Sequence, residues 1–573
     1  MTIKRTDGHD SFSEESHCCC SFPSCLECRD GLSKQPLHDQ DKEITQHTWK
    51  RGGNRSLITL HRGVFLLAVI GAGCLVASYG IFAFSPIDII ISQRMRIQKG
   101  STLYNLWEKP PVDVYIKVFV FNITNADEFL SGKEKLRVQE VGPYFYREIL
   151  ENTNVTFNPN NTISYVPKRS VMAVPDMSPR NAHTDRIIVP NVALLGMASM
   201  LHNSSAFLNV GLATLARYVD AQPLLNLSVH EYLWGYDDPL VRLASTFLPS
   251  WISFPRLGLM DRMFDEGENL VTMRLDNSAV NKSDAFTRQH KIYSIDSFNG
   301  KPSLRQWEDG TSCSSLQGVS EGVLYPRHMT QNDTFLIYRK AFCRVIPVVF
   351  SHSGVTESGF PAYWFRLPNN VFDSPDKNPE NSCYCHPKVA PCLLSGLADI
   401  TPCYYSIPVA LSFPHFLHGD PRLVDMMDGL SPDPSKHDSF IMLQPNLGLP
   451  MAVSTRMQLN LVVHNTRHNP RVAIFNNYTL PIFWLDWYFE IPGVVTRLFY
   501  MVLLVAPALQ TAAIVLFALL GVAMLGLAAC SCSKKNTTVA TKIISKSQHL
   551  LEKNAGEQLL SRTQQRPRLS RRR

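Results

Sequence analysis

Cysteine, asparagine and histidine are the residue types whose spacing suggests chemistry in this 573-residue chain. Six of its 14 cysteines, Cys313, Cys343, Cys383, Cys385, Cys392 and Cys403, fall in one stretch, 313–403. An even, clustered set in an oxidising compartment reads as three disulfides, whose pairing the spacing leaves open. Zinc is the competing reading, since Cys383, Cys385, His386, Cys392 and Cys403 are all ligand types. Against it stand the oxidising compartment and a spacing unlike that of a zinc finger. Cys530 and Cys532 close a long apolar run, where thiols at a cytosolic membrane face are commonly acylated. The run Cys18 to Cys28 in the N-terminal tail fits acylation, metal binding or redox sensing equally.

Eight Asn-x-Ser/Thr acceptors, Asn122, Asn154, Asn160, Asn203, Asn226, Asn281, Asn332 and Asn477, stand within the central region, and two more, Asn54 and Asn536, lie in tails where they would go unused. His415 and His418, in FPHFLHGDP, are the tempting histidine pair, and turn-capping or core roles suit them better than catalysis. The sequence holds no Gly-x-Ser-x-Gly, no His-Glu-x-x-His and no phosphate-binding glycine loop. No catalytic residues, resident metal or cofactor are expected, and the chain reads as a non-enzyme.

Two apolar stretches decide where these groups sit. Val64 to Phe84 is uncharged, and its 21 residues are enough to cross a bilayer core of roughly 30 Å. More than 60 residues precede it, which argues against a signal peptide. Leu498 to Ser533 is also uncharged, with an interfacial entry expected over Leu498 to Ala506 and a membrane core from Pro507. It lacks the polar stripe of a soluble helix.

Basic residues orient the spans. Lys50, Arg51, Arg55 and Arg62 precede the first, and Lys534 and Lys535 follow the second. Both termini are therefore expected in the cytoplasm. The partition is a cytoplasmic tail 1–62, a transmembrane helix 63–84, a glycosylated extracellular or luminal ectodomain 85–497, a transmembrane helix with its entry 498–532, and a basic cytoplasmic tail 533–573. The basic excess sits in that last tail, whose 11 basic and 2 acidic residues give +9 of a whole-chain net charge of +7. Such a tail suits membrane lipids or cytosolic adaptors rather than nucleic acid.

The central region reads as α+β. Val112 to Thr124, Phe342 to Phe350 and Met457 to His464 are strand-like, and long antiparallel strands suit a sheet closing toward a barrel. After Pro190, Leu194, Met197, Leu201, Leu208, Leu212 and Leu215 keep helical spacing, with a break at 203–205. This stripe reads as a core face or as an exposed cap that binds an amphipathic ligand.

Several segments together resemble a known family. They are LWEKPPVDVYIKVFVFNITN, QEVGPYFYRE (Gln139 to Glu148), LWGYDDP (Leu233 to Pro239), NSCYC (Asn381 to Cys385), FPHFLHGDP (Phe413 to Pro421) and MDGLSPDPSKHDSFIMLQPNLGLPM (Met427 to Met451). In this order, between two spans, they resemble the class B scavenger receptor family over about Ile87 to Cys532. That group contains the fatty acid translocase (cluster-of-differentiation 36), the high-density-lipoprotein receptor, lysosomal integral membrane protein and insect sensory-neuron membrane proteins.

The resemblance implies a hairpin of two transmembrane helices and an α+β ectodomain. That ectodomain would be an antiparallel β-barrel with an apical helical bundle at about 190–235 and an internal hydrophobic tunnel. It implies the pairs Cys313 with Cys383, Cys343 with Cys403, and Cys385 with Cys392, and acylation at Cys530 and Cys532. Ligands, namely lipids or lipoproteins carrying fatty acids, sterols or carotenoids, would meet the bundle at Leu194, Leu201, Leu208 and Arg217. The bundle has no lysine, and Arg217 is its only arginine, which favours neutral lipids such as sterols or carotenoids.

The function implied is a scavenger receptor that passes lipid through the tunnel to the membrane. The alternatives are a phagocytic or adhesion receptor for dying cells or microbes, and a lysosomal sorting or lipid-export receptor. Neither Leu550-Leu551 nor Leu559-Leu560 has the acid that a lysosomal sorting signal places four residues upstream, since Lys546 and Ala555 stand there. The plasma membrane is therefore the expected location, with endosomes or lysosomes second.

Overall fold

The computed structural model describes residues 48–201, 204–264, 269–275, 292–385, 392–464, 466 and 469–563. The sequons at Asn203 and Asn281, His386 and the Cys18 to Cys28 run lie outside these residues.

Among the described residues, sixteen strands run in chain order: β1 Val114–Ile123, β2 Val138–Phe157, β3 Thr162–Ala173, β4 Arg186–Pro190, β5 Leu224–Ser228, β6 Val271–Arg274, β7 Ile295–Phe298 and β8 Val319–Ser320. They continue as β9 Thr334–Arg339, β10 Arg344–Val355, β11 Pro361–Arg366, β12 Ala398–Asp399, β13 Val409–Ser412, β14 Phe440–Gln444, β15 Leu449–Val462 and β16 Thr479–Glu490. Fourteen of them form one sheet in the order β7-β6-β3-β2-β1-β16-β15-β14-β11-β10-β9-β8, with β12 and β13 joined at β15. β4 and β5 form a separate ribbon. The pairs are antiparallel except β8 with β9, as expected for strands linked by short connections.

The first and last strands meet near the middle of the sheet. β1 lies between β2 and β16, so Ile116 faces both Tyr146 and Trp487. The ends of the sheet approach each other through side chains. Phe298 of β7 packs edge-on against Tyr338 of β9 at 5.4 Å between ring centroids, and the Tyr165 hydroxyl of β3 donates to Glu321, just beyond β8. The result is a nearly closed barrel whose last seam is made by side chains rather than by a backbone ladder.

The helical insertion follows β4. Asn191 caps the helix Val192–Met200 through Leu194 N–H, and Ser205 caps the helix Ala206–Tyr218, so the expected break is present. Ser228 and Glu231 form a capping box on Val229–Trp234. Asp238, from the LWGYDDP segment, caps Pro239–Phe247.

The strand expected from Phe342 begins instead at Arg344. Residues Lys340–Phe342 form a tight turn, and Cys343 takes a left-handed conformation at φ 58°. Its tie to Cys403 accompanies that turn.

Among the described residues, two helices are long and apolar enough to cross a membrane, Arg62–Arg94 and Gly493–Ala555. The first is broken at Ser85, which is left-handed, before the helix Pro86–Arg94. In the second, the helix Gly493–Tyr500 passes through a π-helical turn, Met501–Val505, into Ala506–Thr563. Pro507, whose ring crowds the preceding turn and which has no N–H, accounts for the widening there.

The chain divides into two units. One is Val76–Ala518, and the other gathers the described residues up to Leu75 with those from Leu519 onward. Within the first, Ser78 donates to the Ile514 carbonyl at 2.9 Å, and Gln510 bonds both Ile87 N–H and the Ser85 hydroxyl. Within the second, the two long helices cross at glycines. A Cβ at Gly71 would lie 2.9 Å from Leu525, and one at Gly521 would lie 2.8 Å from Leu75. Only small residues allow that approach.

Candidate functional site: an apolar cavity in the barrel

Strand geometry sends alternate side chains to one face. Ile346 and Val348 of β10, Val453, Thr455 and Met457 of β15, and Trp487 and Phe489 of β16 turn inward and enclose a cavity of about 490 Å³. That volume lies within the range of small-molecule sites, about 300–1,000 Å³. The lining continues along Leu449 and Ile491 to Val495 and Phe499, which sit on Gly493–Tyr500, the first helical segment of the second candidate span. Leu103, Leu106 and Trp107 line it from the helix Thr102–Glu108. The cavity therefore reaches the segments that join the barrel to both long helices.

One stretch of wall is charged. Arg169 of β3 holds Glu148 of β2 at 2.7 Å, and both are buried. The Trp487 indole donates to the other Glu148 oxygen at 2.6 Å, and the Arg339 guanidinium stands 5.4 Å from the Trp487 ring centre. Burial first, then the adjacent Glu321, push the Tyr165 hydroxyl well above its usual pKa. Nearer the rim, Lys109 faces Glu151 at 3.8 Å and Arg147 faces Asp113 at 3.5 Å.

The six central cysteines form three disulfides, Cys313–Cys383, Cys343–Cys403 and Cys385–Cys392. No thiolate is left among them for zinc, and that competing reading is set aside. Beside them is a second cavity of about 320 Å³, lined by Arg344, Tyr384, Asp399 and His464. Arg344 stacks on the Tyr384 ring at 3.7 Å and reaches Asn381 Oδ1 at 3.3 Å. Burial lowers its pKa to about 10. Cys530 and Cys532 are free and exposed on the last helix.

His415 belongs to a cluster of two buried histidines and a partly exposed carboxylate in which three of the quoted segments meet. Its Nε2 lies 2.6 Å from Glu140, which also accepts the Trp484 indole N–H at 2.8 Å. The His437 ring stacks on His415, with centroids 4.6 Å apart. Ligand atoms of Glu140, His415 and His437 lie within 4.8 Å of one another, the geometry of a metal site. The hydrogen bonds assign a different role. His415 Nδ1 accepts Ser431 N–H at 3.1 Å, and His437 Nδ1 accepts Asp433 N–H at 3.0 Å. Each neutral ring therefore carries its proton on Nε2, where a metal would need a lone pair. Both histidines tie the 431–433 loop to the barrel, and His418 bonds Asp438 at 3.0 Å.

The ligand residues expected in the helical pair do not share one surface. Leu194 is fully buried and Leu201 half-buried, whereas Leu208 and Arg217 are exposed. Leu194 is thus a core residue, because Val192–Met200 is apolar all round and packs into the barrel unit. Phe207, Val210 and Tyr218 join Leu208 on the exposed side, with Phe207 83% and Tyr218 87% accessible. Of the described sequons, Asn154, Asn160, Asn226, Asn332 and Asn477 are exposed. Asn122 is half-buried, with its Oδ1 accepting Ile188 N–H at 2.8 Å.

Comparison with known proteins places this architecture. The model of the CD36 family matches residues 65–532. The chain belongs to the CD36 family. Scavenger receptor class B member 1 of Bos taurus is 31% identical over 467 residues, 80% of this chain and 88% of the relative. The Cricetulus griseus protein of the same name is 32% identical, covering 80% and 87%. Lysosome membrane protein 2 of Rattus norvegicus is 29% identical over 402 residues, 70% of this chain and 80% of that protein. This family member is thus a membrane protein of scavenger-receptor type.

The cavity lining and the Glu148, Arg169, Glu321 and Arg339 wall were not identified from sequence. Glu148 closes the QEVGPYFYRE segment, and a carboxylate on the inward face of a strand was the one available signal.

Proposed function

We propose that this family member is a receptor that captures lipids or lipoprotein particles and passes single neutral lipids through the barrel to the bilayer. The supporting observation is the apolar cavity, which runs from inside the barrel to Val495 and Phe499 at the start of the second candidate span. A lipid that left a particle through water would pay roughly 0.8 kcal/mol per exposed methylene, and an apolar conduit removes that barrier.

The exposed apolar side of Ala206–Tyr218 is the capture surface, and its lack of lysine suits neutral rather than anionic cargo. In this reading both termini are cytoplasmic and the receptor works at the plasma membrane. Glycans sit on the exposed sequons, Cys530 and Cys532 carry acyl chains at the inner leaflet, and the basic tail meets membrane lipids and cytosolic adaptors.

The test is uptake by expressing cells of radiolabelled cholesteryl ester and of a carotenoid, both carried in lipoprotein, with particle binding measured in parallel. Lipid uptake in excess of particle protein is expected. Binding without lipid entry would overturn the conduit in favour of a recognition or sorting receptor.

A further inference from the structure

The cavity beside the disulfides plays no part in the conduit, and its lining shares no residue with that of the barrel cavity. It holds a buried cation. Arg344 lines it and is only 4% exposed. Its guanidinium lies on the Tyr384 ring at 3.7 Å and donates from Nη2 to Asn381 Oδ1 at 3.3 Å. Asn381 is itself fixed, because its Nδ2 donates to the Val371 and Asp373 carbonyls at 3.1 and 2.7 Å. Among the described residues no carboxylate forms an ion pair with Arg344. Asp399 acts on it only at longer range and spends Oδ1 on the Thr401 N–H at 2.9 Å. We propose that this cavity binds a small amphipathic monocarboxylate, with its carboxylate on Arg344 and its apolar body against Leu397, Pro408 and Val462.

The argument is one of charge and fit. A buried cation without an ion-pair partner is costly, and a bound anion removes that cost. Arg344 keeps its charge at neutral pH even though burial lowers its pKa to about 10. A guanidinium has five N–H donors in a planar fork. One bond to Asn381 leaves enough of them for a carboxylate, whose two oxygens match the fork. Asp373 and Asp399 also line the cavity, so a second negative charge on the ligand would meet like charge. The volume of about 320 Å³ lies at the low end of small-molecule sites and suits a compact acid. Cys392, Pro402 and Ser406 on the lining are exposed and give the ligand its way in. Ser199 and Met200 carry the lining onto the helix Val192–Met200, and the His464 N–H donates to Ser199 Oγ at 3.2 Å. The site therefore lies where the helical insertion meets the barrel.

The test uses three probes with one phenyl body, 4-phenylbutyrate, 4-phenylbutanol and 2-phenylsuccinate, bound to the purified full-length protein in nanodiscs, with binding to empty nanodiscs subtracted. Wild type is expected to bind phenylbutyrate about tenfold tighter than the alcohol, and about tenfold tighter than the dianion phenylsuccinate. Arg344→Gln, which keeps a donor and loses the charge, should bring phenylbutyrate within about twofold of the alcohol. Arg344→Lys should retain part of the preference. Cooperative thermal unfolding reports an intact fold in each variant. Leu393→Trp changes a half-buried lining residue, leaves Arg344 in place, and should block acid and alcohol alike. It keeps the test decisive if Arg344→Gln does not fold. Equal wild-type affinities for acid and alcohol, a dianion that binds as tightly as the monoanion, a preference unmoved by Arg344→Gln, or acid binding that survives Leu393→Trp would each overturn the site. None of these readouts involves lipid transfer, so the conduit reading stands or falls separately.

Discussion

Apolar surface is held in two different ways in the barrel unit. In the barrel it is enclosed: strands facing inward on every second residue surround about 490 Å³ of space. On the helix Ala206–Tyr218 it is open: Leu212 and Ala216 are buried while Phe207, Leu208, Val210 and Tyr218 face outward. An enclosed apolar surface of this size accommodates one molecule at a time. An open one can lie against an extended apolar surface such as that of a lipid particle. The difference separates transfer from capture, and the two functions should be separable by mutation.

The largest expected effect comes from blocking the enclosed surface. Val453→Trp should reduce lipid transfer to background while particle binding stays within about twofold, because the exposed helix is untouched. Loss of both in a folded variant would mean that capture and transfer share one surface. The next effect concerns what keeps the enclosure rigid. Replacing Cys343 and Cys403 together by alanine opens a loop of 60 residues, and should destabilise the barrel by about 2–5 kcal/mol in thermal unfolding.

A smaller effect is expected at the open surface. Phe207→Asp with Val210→Asp should weaken particle binding about tenfold and leave stability within about 0.5 kcal/mol, since both side chains are exposed. Purified protein should still bind cholesterol. A loss of cholesterol binding in this variant would place the entry of the conduit at the helix.

The two regions also differed in how far the sequence revealed them. The strands around Val114 and Met457 announce themselves by β-rich composition, and the spans by length, because both signals are local. The helical stripe misled at Leu194. Where a helix is apolar all round, spacing cannot tell which side is buried, and that is settled by the barrel and by Ile407, which lies 2.9 Å from a Cβ at Gly196. The cavity and its charged wall were illegible for a different reason. Glu148 and Arg169 lie on neighbouring strands and meet Trp487, more than 300 residues away in the chain, only when β16 pairs with β1. Likewise, Glu140, His415 and His437 each stood in a quoted segment, and nothing in the spacing says that they touch.

That histidine cluster gives the subtlest prediction and a further contrast with the open helix, since it fastens the 431–433 loop to the barrel. Burial, followed by the neighbouring His415, lowers the His437 pKa to about 4. Glu140, Asp433 and Arg456 also act on His437, the two acids opposing and the arginine reinforcing the depression. Burial raises Glu140, but hydrogen bonds from His415 and Trp484 outweigh it and hold the carboxyl below its usual value. An unfolded histidine titrates near 6.5, so between about pH 6.5 and 4 the unfolded chain takes up a proton that folded His437 refuses. Stability should therefore fall with pH across that window, by up to about 3 kcal/mol at pH 4. Below the usual carboxylate range, Glu140 adds a loss of the same sign as it is finally protonated. His437→Asn offers an oxygen in place of Nδ1 to Asp433 N–H but cannot titrate. Its unfolding free energy, measured in denaturant from pH 7 to 4, should decline less steeply than that of wild type. Parallel slopes for the two proteins would show that His437 is not held neutral, and would remove the acid sensitivity assigned here to the barrel.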